Sequence, residues 1–252
     1  MDTPSATPPP DGGDRSAAAT TISWPRGWAV EVVAETGSTN ADLLEAARWG
    51  AADRTVRAAA HQTAGRGRLD RRWDAPPGAN LLVSILFRDP PSAVHELTQR
   101  IALAAATAAK RVAGVDAALK WPNDLLVGAS KLAGILAQAG AVGGRLDHVV
   151  VGMGMNVRWA PDGAAKLGDD VDPLVVLREL LVAFDELPLD VHDRYRDALA
   201  TIGQRVRVEL PSGVIEGRAV DVERDGRLVV LDECGITSRI DTGDVVHLRP
   251  AT

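Results

Sequence analysis

Residues 65–73 read GRGRLDRRW, setting Arg66, Arg68, Arg71 and Arg72 between Gly65, Gly67 and Trp73. Guanidinium forks match the planar oxygens of phosphate and carboxylate. Glycine lets backbone approach a ligand closely, and Trp73 offers an apolar lid or stacking face. The segment reads as a solvated basic turn, a nucleic-acid contact or a clamp for a small anion. A formal net charge of -6 over 252 residues argues against a general nucleic-acid binder while leaving room for a local basic site.

Three further stretches carry polar chemistry. In KWPNDLLVGASKLAGIL, 120–136, Pro122, Asn123 and Asp124 make a tight corner between two strands. Lys120 and Lys131 straddle that corner, and if it is a hairpin the two amines either flank a plain turn or hold an anion between them. GSTN, 37–40, is an N-cap box; a helix N-terminus with two hydroxyls also suits polar ligand atoms. GMGMNV, 152–157, follows a buried-strand pattern, but no third glycine follows and no helix opens. A dinucleotide fingerprint is therefore discounted in favour of a strand whose glycines admit a ligand or another backbone, with Asn156 as an inward amide. No Ser-His-Asp or Cys-His set and no paired general-acid carboxylates stand out. The chemistry indicated is charge neutralisation and positioning.

The elements that must hold these stretches are legible in the apolar periodicity. Strands are predicted over 28–35, 55–62 and 80–87, and as short runs in 117–121, 124–128, 131–140 and 146–157. Leu43, Leu44 and Ala47 share a helical face after Ser38 or Thr39 as N-cap. Spacings of three and four through Val94, Leu97, Ile101, Ala104, Ala108 and Val112 predict a helix over 92–113. Residues 172–187 return to helical spacing, and a short helix carries Val191, Tyr195 and Leu199. Beyond Ile202 the strands are short and regular, with turns at Ser212-Gly213, Asp225-Gly226 and Thr242-Gly243. The reading is an α+β fold with a disordered tail at 1–22, a mixed domain at 23–201 and a small β-barrel at 202–252. One cysteine, Cys234, excludes an intrachain disulfide and fits a reducing, cytoplasmic setting. The longest apolar run is too short to span a bilayer.

Taken in order, GSTN, HQTAGRGRLDRRW, KWPNDLL…KLAGIL and GMGMNV, with the C-terminal barrel, resemble the biotin protein ligases over roughly residues 28–250. The resemblance implies a class II aminoacyl-tRNA-synthetase-like catalytic domain, a mixed and largely antiparallel sheet packed with helices, followed by an SH3-like barrel. It implies a two-step, MgATP-dependent reaction: biotin becomes biotinyl-5′-AMP, then passes to a lysine of a biotin carboxyl carrier domain of acyl-CoA or pyruvate carboxylases. Ser38, Thr39, Asn40, Gln62, Gly65, Arg66, Gly67, Arg68, Lys131 and Gly134 match biotin-site positions. Arg68, Arg71, Trp73, Lys120, Asn123, Asp124, Lys131 and Asn156 match positions around ATP, with Asp124 toward Mg2+. Lys131 and Arg68 are the expected catalytic cations. The 62–79 loop is expected to order over the adenylate and exclude water.

Some members of that family carry an N-terminal helix-turn-helix and act as repressors. Only about 22 residues precede the first strand here, so no operator binding is expected, nor a membrane partner, and the expected form is a monomer or weak homodimer. The nearer rival, a lipoate ligase or octanoyl transferase, has RRxGGG-like and KxxGxA-like segments where this sequence has GRGR and KLAGIL.

Overall fold

The computed structural model describes residues 22–68, 71–88, 90–91, 94–210, 213–241 and 243–247. Residues 1–21 of the tail expected to be disordered lie outside them, as do Leu69 and Asp70 of the arginine segment, the predicted helix start at 92–93, and Ser212 and Thr242 of two predicted turns.

Seven strands form the main sheet: β1 (Ala29–Thr36), β2 (Thr55–Gln62), β3 (Leu81–Arg88), β4 (Ala118–Lys120), β5 (Asp124–Val127), β6 (Ser130–Val142) and β7 (Arg145–Met155). Their order is β1-β2-β3-β7-β6-β5-β4. Only β1 and β2 run parallel; every other pair is antiparallel. This is the α+β arrangement that the irregular alternation of elements requires. Central β3 is buried from Leu81 to Phe87, which is why that stretch reads as an apolar run with one polar residue, Ser84, before the terminal Arg88.

Helices cover the sheet. α1 (Thr39–Arg48) packs Leu43 and Ala47 against Leu86 and Val150. α2 (His95–Ala113) lays its small-residue face, including Ala104, Ala105, Ala108 and Ala109, into the main core. It ends at Gly114, whose φ of 68° is a left-handed C-cap. α3 (Pro173–Asp185) starts on an Asp172 cap that accepts from the Leu174 N–H, and α4 (His192–Ala198) follows.

The C-terminal strands β8 (Arg205–Leu210), β9 (Gly213–Val222), β10 (Leu228–Leu231), β11 (Thr237–Ile240) and β12 (Asp244–His247) form a separate antiparallel sheet, order β11-β10-β9-β8-β12. Where a small barrel is expected, the pairing among the described residues places β11 and β12 at the two ends of the strand order. Its apolar face is not a separate core: Val206, Val208, Val222 and Val230 belong to the same buried cluster as Ile101 and Trp121. The Trp121 indole donates to the Gly226 carbonyl at 2.9 Å. These contacts fix β12 beside the mouth of the main sheet.

Candidate active site

A cleft of about 940 Å³ opens where β6 and β7, the loop after β2, the β4–β5 corner and strand β12 meet. Of the positions singled out above, Ser38, Thr39, Asn40, Gln62, Arg66, Gly67, Arg68, Arg71, Trp73, Lys120, Asn123, Asp124, Lys131, Gly134 and Asn156 all line it. Gly65 does not. It stands where the two arms of the arginine loop close on each other: the Trp73 N–H donates to its carbonyl, Arg66 bridges Arg72, and a Cβ at Gly65 would overlap the Trp73 carbonyl. That glycine shapes the loop rather than the cleft wall.

One end of the cleft is built around a network of uncharged polar side chains. Ser38 caps α1 by its backbone conformation, without a side-chain cap hydrogen bond. Thr39 donates its backbone N–H to Gln62 Oε1 at 2.8 Å, and its hydroxyl lies 2.7 Å from Ser84 Oγ. Ser84 in turn meets Asn40 Oδ1 at 2.5 Å, and Asn40 Nδ2 donates to Gln138 Oε1 at 2.7 Å. Asn40 rests on Gly152, where any Cβ would overlap its amide oxygen.

Two residues further along β7, Gly154 pairs with Gly134 of β6, and the Trp73 indole lies across both. Trp73 Nε1 is buried without an acceptor among the described residues. The Lys131 ammonium sits 5.7 Å from the indole centroid, within cation–π range.

The other end is charged. Lys131 Nζ is 2.7 Å from Asp124 Oδ1. That buried oxygen has no hydrogen bond of acceptable geometry despite the ion pair. Arg68 donates to Asn123 Oδ1 at 3.2 Å and to the Gly243 carbonyl at 3.4 Å. Burial pushes the Arg68 guanidinium below its ordinary pKa, opposed by Asp244 and Asp124 and assisted by Arg71. Arg71 is paired with Asp244. Arg72 faces Asp74 at 3.3 Å, both largely exposed. Lys120 and Lys131 line the same cleft on the antiparallel β4–β5–β6 ribbon, and the anion beside Lys131 is the protein's own Asp124.

Asn156 is an inward amide, but a committed one: its Oδ1 accepts a hydrogen bond from Asn80 Nδ2, and its Nδ2 donates to the Lys131 and Ala165 carbonyls. It thereby ties the segment after β7 to the backbone of Lys131. Sequence reasoning missed Ser84, Gln138, Glu209 and Asp244, which also line the cleft. A lone serine in an apolar strand was the only signal for the first. The acidic pair on the C-terminal sheet had none.

Among the described residues no group of three or more His, Cys, Asp and Glu could hold a metal ion by itself, and no helix is long and apolar enough to cross a membrane.

The class of protein that fold and site define emerges from comparison with known families. The biotin/lipoate A/B protein ligase family matches residues 32–156, and the biotin protein ligase C-terminal domain matches 201–248. A biotin--[acetyl-CoA-carboxylase] ligase of Mycobacterium tuberculosis is 40% identical over 250 residues, covering 88% of this chain and 91% of the relative. The bifunctional ligase/repressor BirA of Bacillus subtilis is 29% identical over 82% of this chain and 70% of its own. Among solved structures, a biotin protein ligase from Aquifex aeolicus in complex with biotin and ATP superposes with a TM-score of 0.73 at 25% identity, covering 88% of this chain and 99% of the other. The chain belongs to the biotin protein ligase family.

Proposed function

We infer that this chain is an ATP-dependent biotin ligase that forms biotinyl-5′-AMP and then biotinylates a lysine of a carboxylase carrier domain. The observation that carries this is the order of groups along β7. Residues two apart on a strand share a face roughly 7 Å apart, so Asn40 over Gly152 is followed by Trp73 over Gly154, then by Lys131 and Asp124. An elongated ligand with a neutral hydrogen-bonding head and a carboxylate tail fits that order. Biotin has a cyclic urea at one end and a carboxylate at the other.

The first step joins two anions. At about 4 Å a pair of unit charges costs about 1 kcal/mol in water and about 4 kcal/mol at an effective dielectric of roughly 20. Lys131 and Arg68 offset that repulsion and stabilise charge developing on the α-phosphate. The carboxylate oxygen attacks the α-phosphorus and pyrophosphate leaves. In the second step the ε-amine of the acceptor lysine attacks the acyl carbon, the amide forms, and AMP and a proton are released. The arginine loop excludes water from the mixed anhydride.

Ser38, Thr39, Asn40, Gln62, Arg66, Gly67 and Gly134 are assigned to biotin, and Arg71, Trp73, Lys120, Asn123 and Asn156 to the nucleotide. The buried Trp73 N–H, lacking an acceptor among the described residues, suits a ligand oxygen. Mg2+ binds through one or two carboxylates together with phosphate oxygens. The buried, incompletely satisfied Oδ1 of Asp124 fits that role, and the ion would neutralise phosphate charge there. A cytoplasmic monomer or weak homodimer that does not bind DNA is in keeping with the free Cys234 and the net charge of -6.

The decisive experiment incubates the chain with biotin, MgATP and a biotin carboxyl carrier domain, and measures pyrophosphate and the mass of the acceptor lysine. Biotin-dependent release and a biotinylated lysine are expected. Lipoylation in the parallel arm with lipoate, without biotinylation, would overturn the assignment.

A further inference from the structure

We propose that Ser84, a residue in the middle of β3, is a positioning residue that sets the direction of the Thr39 hydroxyl and so selects a ligand head bearing N–H donors. The proposal rests on the reading of the cleft as the biotin site. It follows from a proton count. Asn40 spends its Nδ2 on Gln138 Oε1 at 2.7 Å and on the Leu136 carbonyl at 3.3 Å, so its Oδ1 faces Ser84 as an acceptor. At 2.5 Å, only Ser84 can supply the proton of that contact. Ser84 has no second proton, so its 2.7 Å contact with Thr39 requires the threonine to donate.

Gln62 Oε1, the competing acceptor, lies farther from the Thr39 hydroxyl, at 3.0 Å, and already receives the Thr39 backbone N–H. The chain therefore runs one way, from Thr39 to Ser84 to Asn40 to Gln138 and Leu136. Thr39 turns its hydroxyl hydrogen into the sheet and presents only lone pairs to the cleft it lines.

The tertiary setting holds this direction. Ser84 is paired with Gly152 across β3 and β7, and the missing side chain at Gly152 makes room for the Asn40 amide beside Ser84. Ser84, Thr39 and Asn40 are 0%, 3% and 7% exposed, so water does not reshuffle the pattern. A head with N–H donors pairs with Thr39. A head offering only lone pairs, or the sulfurs of a dithiolane, leaves it unpaired, and a buried unpaired group is the strongest basis for rejecting a near-isostere.

The test uses the full chain without ATP and measures by calorimetry the affinities for biotin and for its two carbamate analogues, in which one ureido N–H is replaced by oxygen. The wild type is expected to favour biotin over at least one analogue by about tenfold or more. In Ser84→Ala the Thr39 hydroxyl loses its nearer acceptor, and its hydrogen is left to Gln62 Oε1 at 3.0 Å or to a lone pair of the ligand head, so that ratio is expected to fall. Biotin KM is expected to rise about tenfold in pyrophosphate release while kcat changes less than about twofold. Ser84→Cys, a weak donor of similar size, is expected to give an intermediate ratio and serves as the readout if Ser84→Ala does not fold. A wild type that binds biotin and its analogues equally, or variants that keep the wild-type ratio, overturns the proposal alone. A wild type that binds none of the three overturns the biotin reading itself.

Discussion

The indole of Trp73 lies against the bare α-carbon of Gly154, and a Cβ added there would overlap the ring. The contact joins the arginine loop to the floor of the cleft and gives the second glycine of GMGMNV a purpose distinct from the first, on which Asn40 rests.

Gly154→Ala should therefore displace Trp73 without unfolding β7, since Gly154 is not among the glycines with positive φ. Overpacking of this kind costs about 1–3 kcal/mol. A loss of roughly tenfold or more in biotin-dependent pyrophosphate release is expected, with a melting temperature lowered by only a few degrees. Unchanged release would show that the indole position is irrelevant.

Lys131→Ala removes the ammonium beside both Asp124 and Trp73. Adenylate formation is expected to fall by at least two orders of magnitude, because a fixed cation facing developing charge is worth about 3–4 kcal/mol. The fold, followed by circular dichroism, is expected to persist, since the ammonium is not part of the buried core. Near-normal pyrophosphate release would sink the assignment.

The arginines of the loop are expected to separate by what they face. Arg71 reaches Asp244 of the C-terminal sheet with its side chain 65% exposed, so the pair adds no more than about 1 kcal/mol to stability. Arg71→Ala should leave the melting curve nearly unchanged while raising the KM for ATP about tenfold, the scale of one lost charge-assisted contact to phosphate. Arg72→Ala, whose side chain is 69% exposed and pairs with the exposed Asp74, should change that KM by no more than about threefold.

His247 supplies a pH signature. Burial, and secondarily the Lys120 charge, holds its pKa below the ordinary 6.5, and Nε2 lies 3.2 Å from the Thr201 hydroxyl. A depressed histidine pKa means that the unfolded chain binds the proton more readily. Its contribution to stability is thus complete above about pH 6.5 and is lost as pH falls from there through the folded-state pKa. Denaturant midpoints measured from pH 8 to 5 should fall in that window for the wild type and fall less steeply for His247→Gln. Parallel curves would refute the assignment.

The elements that depend on neighbours a few residues apart were determined by the sequence itself. The apolar periodicity placed α2 and α3, the alternation and turn residues placed β5 to β7, and the order of GSTN, GRGRLDRRW, KWPND and GMGMNV identified the family, because each rests on spacings within one element or motif. Tertiary structure alone decided which of those residues meet. Arg68 contacts the Gly243 carbonyl across 175 positions, a pairing set by packing β12 against the main sheet and invisible to any local pattern. Ser84 sits in a strand buried on both faces, where alternation cannot tell which side chain faces the cleft. Gly65, alike in type to Gly67, proved to be a steric requirement of the loop. Local propensity depends on short-range geometry and can be read from the chain; the site depends on long-range register, which exists only once the sheets have packed.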